Sequence, residues 1–243
     1  MTDLLNTMES IQVKRVEHLP FTVRLVKNDV ELRKAVAIRH LAYARHLPEF
    51  AQMLTAPEPM DYNESVVILL AESKVDGSPI GTLRIQSNHL RPLEIERSLK
   101  LPVWLQGTCL VEATRLGVTN RQVGHLVKTV LFKAFYQYCQ QRHIDWVVVT
   151  GRSPIDRQYE QLLFCDVYPG QGYIPMRHVH NVPHRVMALH IQSAQARWTA
   201  VKHPLLDFMC HTDHPDIDLG PTQCKLRAVD KMPSVCGVKR DWI

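Results

Sequence analysis

The sequence predicts an α/β chain: a central, mixed, twisted sheet flanked by helices, with an irregular C-terminal extension. Two stretches carry that prediction. Residues 109–150 read as strand, polar turn, long helix and second strand, a βαβ unit whose strands run parallel. Residues 65–86 read as two apolar strands around turn chemistry, an antiparallel hairpin. A sheet that holds both is mixed. The 243 residues can bury a full core without disulfides or metal.

Taken in order, residues 1–20 read as a loose N-terminal arm. Phe21–Val26 alternates as a first strand. Asn28 offers an N-cap with Glu31 three residues on, close to a capping box, and a helix follows to about His46. Leu32, Val36, Arg39 and Tyr43 share one face of it. Arg39 on that face is either a snorkelling side chain or an inward guanidinium that pairs with a buried carboxylate or an anion. Residues 47–64, with Pro48, Pro57 and Pro59, read as a loop. Ser65–Ala71 and Ile80–Gln86 are the hairpin strands around the turn residues Val75–Ser78. Arg84 lies within the second strand, where a covered guanidinium needs a partner.

Residues 87–108 read as an irregular cover over one side of the sheet. In the βαβ unit, Cys109, Val111 and Ala113 alternate with Leu110, Glu112 and Thr114. Val123, Leu126, Val127, Val130, Leu131, Ala134, Phe135, Tyr138 and Cys139 then form one apolar helical stripe. Asp145–Thr150 is a buried parallel strand, Pro154–Phe164 a short helix, and Arg185–Gln192 a last strand. The tail from Ser193 shows little periodicity beyond Trp198–Met209.

Composition is that of an ordinary globular protein, 45% hydrophobic and 22% charged, with a formal charge of +5. That charge suits an acidic partner, but no dense basic run points to nucleic acid. No apolar run approaches the ~20 residues of a membrane span. The start of the chain has no signal pattern, so a cytoplasmic location is expected. Six scattered cysteines hold no C-x-x-C pair and are expected to be reduced. His178 and His180 could share a strand face as metal ligands, but no spacing fits a known site, and no metal is expected. A serine-hydrolase elbow, a Walker phosphate loop and a dinucleotide fingerprint are all missing. Glu112 and Arg115, at a strand end before a helix, read either as a closing salt bridge or as the floor of a cleft.

Several motifs resemble a known superfamily. Arg121-Gln122-Val123-Gly124-His125-Leu126 resembles the [RQ]-x-x-G-x-[GA] phosphate loop of the GNAT acyltransferases, with Leu126 in place of the last small residue. Tyr159 to Phe164 resembles their Y-x-x-x-G-F, with Leu163 in place of Gly. Across residues 21–219, Arg39-x-x-x-Tyr43, Asp61-x-x-Glu64, Gly81-Thr82-Leu83-Arg84 and Glu112-Ala113-Thr114-Arg115-Leu116 occur in order. They resemble the R-x-x-x-F, D-x-x-D, G-x-x-R-L and E-S-R-F pattern of the autoinducer-synthase-like branch. The Thr114 variant and the His203-Pro204 … His214-Pro215-Asp216-Ile217 tail look closer to its FeeM-type N-acyl amino acid synthases.

The resemblance implies a GNAT-like domain over residues 21–219 with a tail at 220–243. It implies transfer of a long-chain fatty acyl group from acyl carrier protein to the amine of an amino acid. Glu112 is then the base and Tyr159 the acid for the leaving thiolate. Arg39, Tyr43, Asp61, Arg84, Thr114 and Arg115 surround the acceptor, and an arginine among them could bind its carboxylate. Leu116, Gly117, Val118, Arg121 and Gly124 hold the acyl-pantetheine. The acyl thioester is a co-substrate and no tightly bound cofactor is implied. A loop without its last small residue suits a donor lacking a pyrophosphate. The alternatives are an acyl-CoA-dependent N-acetyltransferase, a non-catalytic acyl- or carrier-binding module, and a lactone synthase that consumes S-adenosylmethionine.

Overall fold

The computed structural model describes residues 15–119 and 122–221. Its elements, in chain order, are β1 (Arg15–Val16), β2 (Phe21–Leu25), α1 (Asp29–Ala44), α2 (Pro48–Ala51), β3 (Val66–Ser73), β4 (Pro79–Ser87), β5 (Leu110–Val118), α3 (Gly124–Gln141), β6 (Trp146–Gly151), α4 (Ile155–Gln161), β7 (Cys165–Asp166), β8 (Ile174–Met176), β9 (Val182–His190), α5 (Ile191–Ala200), β10 (Thr212–Asp213) and β11 (Ile217–Asp218). Among the described residues a nine-stranded mixed sheet runs β11-β2-β3-β4-β5-β6-β9-β7, with β8 beside β9. The β3–β4 hairpin is antiparallel and β5–β6 is parallel.

Strand alternation divides the core between the two sheet faces. Val111, Val147 and Val149 pack with Val127, Val130, Leu131 and Ala134 of α3. On the other face, Leu110 and Val148 meet Leu93, Ile95, Leu101 and Leu105, so residues 87–108 cover the sheet as expected. Ile68 and Leu70 meet Leu32, Ala35 and Val36 of α1. That helix starts where Asn28 Oδ1 accepts the Glu31 N–H at 3.0 Å.

Several expectations need correcting. The 47–64 loop contains the short helix α2 and two 3₁₀ turns. The N-terminal segment is partly tied down, because β1 pairs with β10 and Leu19 is buried. Residues 1–14 and 222–243, including Cys224 and Cys236, lie outside the described residues. In α3 the stripe holds except at Leu126, which is exposed, while Lys133 and Tyr136 are buried. Lys133 Nζ donates to the Phe208 carbonyl at 2.6 Å and meets His214 Nδ1 at 2.7 Å, fastening the C-terminal segment to α3. That segment also contributes β11, parallel to β2, so it completes the sheet.

The largest difference concerns β5. Its reading as a strand ending near Arg115 is too short, for it runs to Val118. Thr82 pairs with Gly117 and Arg84 with Thr114, which leaves Arg115 and Leu116 opposite Leu83 alone. This is a β-bulge, and Arg115 takes a left-handed φ of 56° within it. On its other edge β5 pairs with β6 only from Leu110↔Trp146 to Ala113↔Val149. Beyond Ala113 the two parallel strands part.

Candidate active site

A cavity of about 330 Å³ opens where β5 and β6 separate. One wall is Ala113, Thr114, Arg115, Leu116 and Val118 of β5 and its bulge. The other is Thr150, Arg152, Pro154, Ile155, Gln158 and Tyr159, from the end of β6 and α4. Tyr43, Arg45 and His46 from the end of α1, Lys128 of α3, and His178 and His184 also line it.

Behind the β5 wall lies a charged lattice. Asp61 accepts from both terminal nitrogens of Arg39, at 2.8 and 3.1 Å. Glu58 accepts from Arg115 Nε and Nη2, both at 2.7 Å, from Arg84 Nη1 at 3.0 Å and from Arg39 Nη1 at 3.1 Å. Arg84 Nε donates to Thr114 Oγ1 at 3.1 Å. The Arg115 guanidinium also lies over the Phe50 ring, 5.1 Å from its centroid, and Tyr43 meets that ring edge-on. Arg39 is therefore inward, not snorkelling. The arginines, above all Arg115, hold the Glu58 carboxyl down at about 2 against the opposing effect of burial.

Glu58 is the residue that sequence reasoning missed. The motif predicts Asp61 and Glu64 as the acidic pair, but Glu64 is exposed and the pair that meets the arginines is Glu58 and Asp61. The spacing is the same, three residues earlier, and an E-x-x-D reading would have found it. All three lattice guanidiniums face Glu58 or Asp61, while Arg39 Nε and Arg84 Nη2 are left without a hydrogen-bond partner.

Glu112 stands mid-strand in β5, fully buried, and is not part of the cavity lining. Its Oε2 accepts the Ile95 N–H at 2.9 Å, and its Oε1 has no hydrogen-bond partner. Burial pushes its carboxyl up to about 7, with Glu94 adding to the rise. His178 Nε2 lies 3.9 Å from Oε1. His178 and His180 do not share a strand face; they sit on the 3₁₀ turn Arg177–Val179 and at its end. Among the described residues no cluster of three or more His, Cys, Asp or Glu side chains could hold a metal ion.

Tyr159 lies at the junction of this cavity with a second, apolar void of about 20 Å³. Ala113 and Tyr159 line both, and Phe132, Phe135, Tyr136, Leu162 and Trp198 enclose the void. Burial raises the Tyr159 hydroxyl pKa, so it stays protonated. Leu163, at the Gly position of the Y-x-x-x-G-F pattern, has the left-handed φ of 63° that favours glycine.

The remaining sequence candidates divide. Leu116 and Val118 line the cavity. Gly117 packs on α1 instead: a Cβ there would lie 3.1 Å from Ala42 Cβ and 3.2 Å from Arg39 Cα. Gly124 is also outside the lining, and a Cβ on it would lie 2.4 Å from the Thr119 carbonyl oxygen. Its small size serves chain packing at the start of α3. Arg121 lies outside the described residues. Arg152 and Lys128 were not anticipated. Both are cations on the cavity wall, and neither has a carboxylate partner among the described residues.

No family model matches this chain, and no curated protein does. Solved structures do. FeeM, an N-acyl amino acid synthase from uncultured soil microbes, superposes with a TM-score of 0.57 at 18% identity, covering 78% of this chain and 97% of its own. BjaI, a CoA-dependent acyl-homoserine lactone synthase solved with SAM and isopentyl-CoA, gives 0.53 at 15% identity, covering 80% and 93%. At such identities the likeness is one of fold. The chain has the GNAT-like α/β fold, a mixed twisted sheet flanked by helices, that its motifs predicted.

Proposed function

We propose that the protein is an N-acyltransferase that moves a fatty acyl group from a thioester donor to the amine of an amino acid. The observation that carries this reading is the cleft between the parted strands. It has a protonated tyrosine and an apolar void at its wall, and a buried carboxyl near neutrality behind His178. The two solved proteins of like fold, an N-acyl amino acid synthase and an acyl-homoserine lactone synthase, are consistent with it.

The acceptor arrives as an ammonium and must lose a proton before it can attack. Glu112 is the final holder of that proton, reached directly or through one intervening group. The freed amine attacks the thioester carbonyl. Backbone N–H groups of Leu116–Val118, on the strand that lost its partner, stabilise the oxyanion. The carbon–sulfur bond then breaks and Tyr159 protonates the thiolate. The lattice of Arg39, Arg84, Arg115, Glu58 and Asp61 fixes the β5 wall, while Arg152 and Lys128 supply the cations for the acceptor carboxylate. The acyl chain lies in the cleft of about 330 Å³, with its end toward the small apolar void past Ala113.

Acyl carrier protein is the proposed donor, because among the described residues the lining of the cleft includes cations and no Asp or Glu, which suits an acidic partner. A second reading, coenzyme A as donor, is favoured by an adjoining cavity of about 420 Å³ lined by His125, Lys128 and Arg157, which suits phosphates. The test is mass spectrometry after incubation with long-chain acyl-carrier protein, or acyl-CoA, and a pool of amino acids. A product of acyl chain plus amino acid minus water is expected. Intact thioester with both donors would overturn the reading.

A further inference from the structure

Two buried polar atoms at the cleft are left unpaired on facing side chains. Glu112 Oε1 has no hydrogen-bond partner, and neither does His178 Nδ1. Buried polar groups are nearly always satisfied, so two orphans on adjacent groups require an explanation. The pair is also ordered in space. Glu112 does not reach the cavity lining, whereas His178 does, and His178 Nε2 points to within 3.9 Å of Glu112 Oε1. His178 is thus the member of the pair on the cleft wall, its ring about 1% exposed, with Glu112 wholly buried behind it.

We propose that His178 is the group that meets the acceptor amine, and that Glu112 takes up the proton through its ring. This rests on the acyltransfer reading and names the route its proton follows. The ammonium N–H bond breaks as the proton moves to one ring nitrogen. The Nε2–H bond breaks as that proton moves to Glu112 Oε1. The ring ends neutral in its other tautomer, Glu112 ends as a carboxylic acid, and the amine keeps its electron pair for the thioester carbon. After product leaves, the same route run backwards returns the proton to solvent. The 3.9 Å separation is longer than a hydrogen bond, as is common before substrate closes a site.

The surroundings favour this relay. Burial first, then Arg115, keeps the His178 ring neutral, with its pKa down at about 3, so it holds a lone pair at every working pH. Arg84, Arg97 and His184 act in the same direction. Glu94, from the turn that covers Glu112, raises the carboxyl, while Arg84 and Arg115 lower it. The turn itself is pinned. The His178 carbonyl accepts from Arg115 Nη2 at 3.4 Å, the Arg177 N–H donates to Ser98 Oγ at 2.8 Å, and His180 and Asn181 close the turn in left-handed conformations.

The experiment compares His178→Gln, Glu112→Gln and the double variant by steady-state kinetics across pH, read as thiol release. Each single variant is expected to lose about 10²-fold or more in kcat, to keep the donor KM, and to lose the rise in rate near pH 7. The double variant should be no slower than the slower single one. His178→Gln that keeps the rate and the pH dependence, while Glu112→Gln loses both, would overturn the relay. Should His178→Gln not fold, the ring ¹⁵N shifts of His178 in the unmodified protein decide. The Nε2–H tautomer, altered by Glu112→Gln, is expected, and the Nδ1–H tautomer would overturn the proposal. An unmodified protein that transfers no acyl group to any amine fails the acyltransfer reading instead, and the tautomer still reports on the pair.

Discussion

Replacing Glu58 by Gln keeps the shape of the hub and removes its charge. Arg39 and Arg84 would then face Asp61 alone, and Arg115 would lose its only carboxylate partner among the described residues. The magnitude follows from the carboxyl itself, which is held at about 2 against its ordinary 4.5. That difference corresponds to about 3 kcal/mol at pH 7. About a fifth of the side chain is open to water, and screening there lowers the figure to about 2–3 kcal/mol. The usual cost of breaking a buried pair, about 3–5 kcal/mol, is of the same size. A chain of this length should lose roughly 5–10 °C in Tm. The pH window has a definite sign. A depressed carboxyl stabilises the fold above its unfolded value, and the contribution is lost as pH falls through the folded one. The gap between wild type and Glu58→Gln should thus be full at pH 7, shrink below about pH 4.5 and be roughly halved near pH 3. Urea titrations of both proteins at several pH values measure it. A gap under about 0.5 kcal/mol at pH 7, or one that grows on acidification, would refute the reasoning.

Glu112 has the opposite sign. Burial raises it to about 7, so the folded chain holds a proton that the unfolded chain releases near 4.5, and stability drains away as pH rises through that range. Glu112→Gln should abolish this slope in urea titrations, exceed wild type in stability at pH 8, and still lose about 10²–10⁴-fold in acyl transfer. Ala113→Leu places a branched side chain where the cleft meets the apolar void; product mass spectra should shift to shorter acyl chains, and an unchanged spectrum would remove the void from the acyl path. Tyr159→Phe should lower kcat about 10–10²-fold with little change in Tm, since no hydrogen bond to its hydroxyl exists among the described residues. A rate equal to wild type would assign protonation of the thiolate to solvent.

Local periodicity made much of the fold legible. The α3 stripe, the Asn28 cap and the β3–β4 hairpin are signals within a few residues of one another, and the structure has all three. The start of α5 was hidden for a local reason. Apolar character continues from β9 into Ile191, and the cap residue is His190, which makes no side-chain cap bond. Its buried positions Ile191, Ala194 and Trp198 are separated by polar residues that blur the period. Glu58 was hidden for a non-local reason. An acid between two prolines in a loop looks solvated, and its partners lie 19, 26 and 57 residues away. The bulge at Arg115 could not be read either, because an arginine gives no sign that it will take a left-handed conformation.

That bulge joins the two halves of the site. It turns the Arg115 guanidinium onto Glu58, and the cleft lies along the same strand beyond its last pairing with β6. The lattice is consequently an electrostatic neighbour of the buried carboxyl as well as a brace. Three guanidiniums against two carboxylates leave one positive charge, and Arg84 and Arg115 both lower the Glu112 carboxyl against the effect of its burial. Removing the Glu58 charge strengthens that pull. In the Glu58→Gln variant the rise of rate with pH should therefore move to lower pH, even as the fold loses stability. A shift to higher pH, or none in a variant shown to be folded at the assay temperature, would mean that Glu112 titrates independently of the lattice. The midpoint near 7 would then come from burial and Glu94 alone.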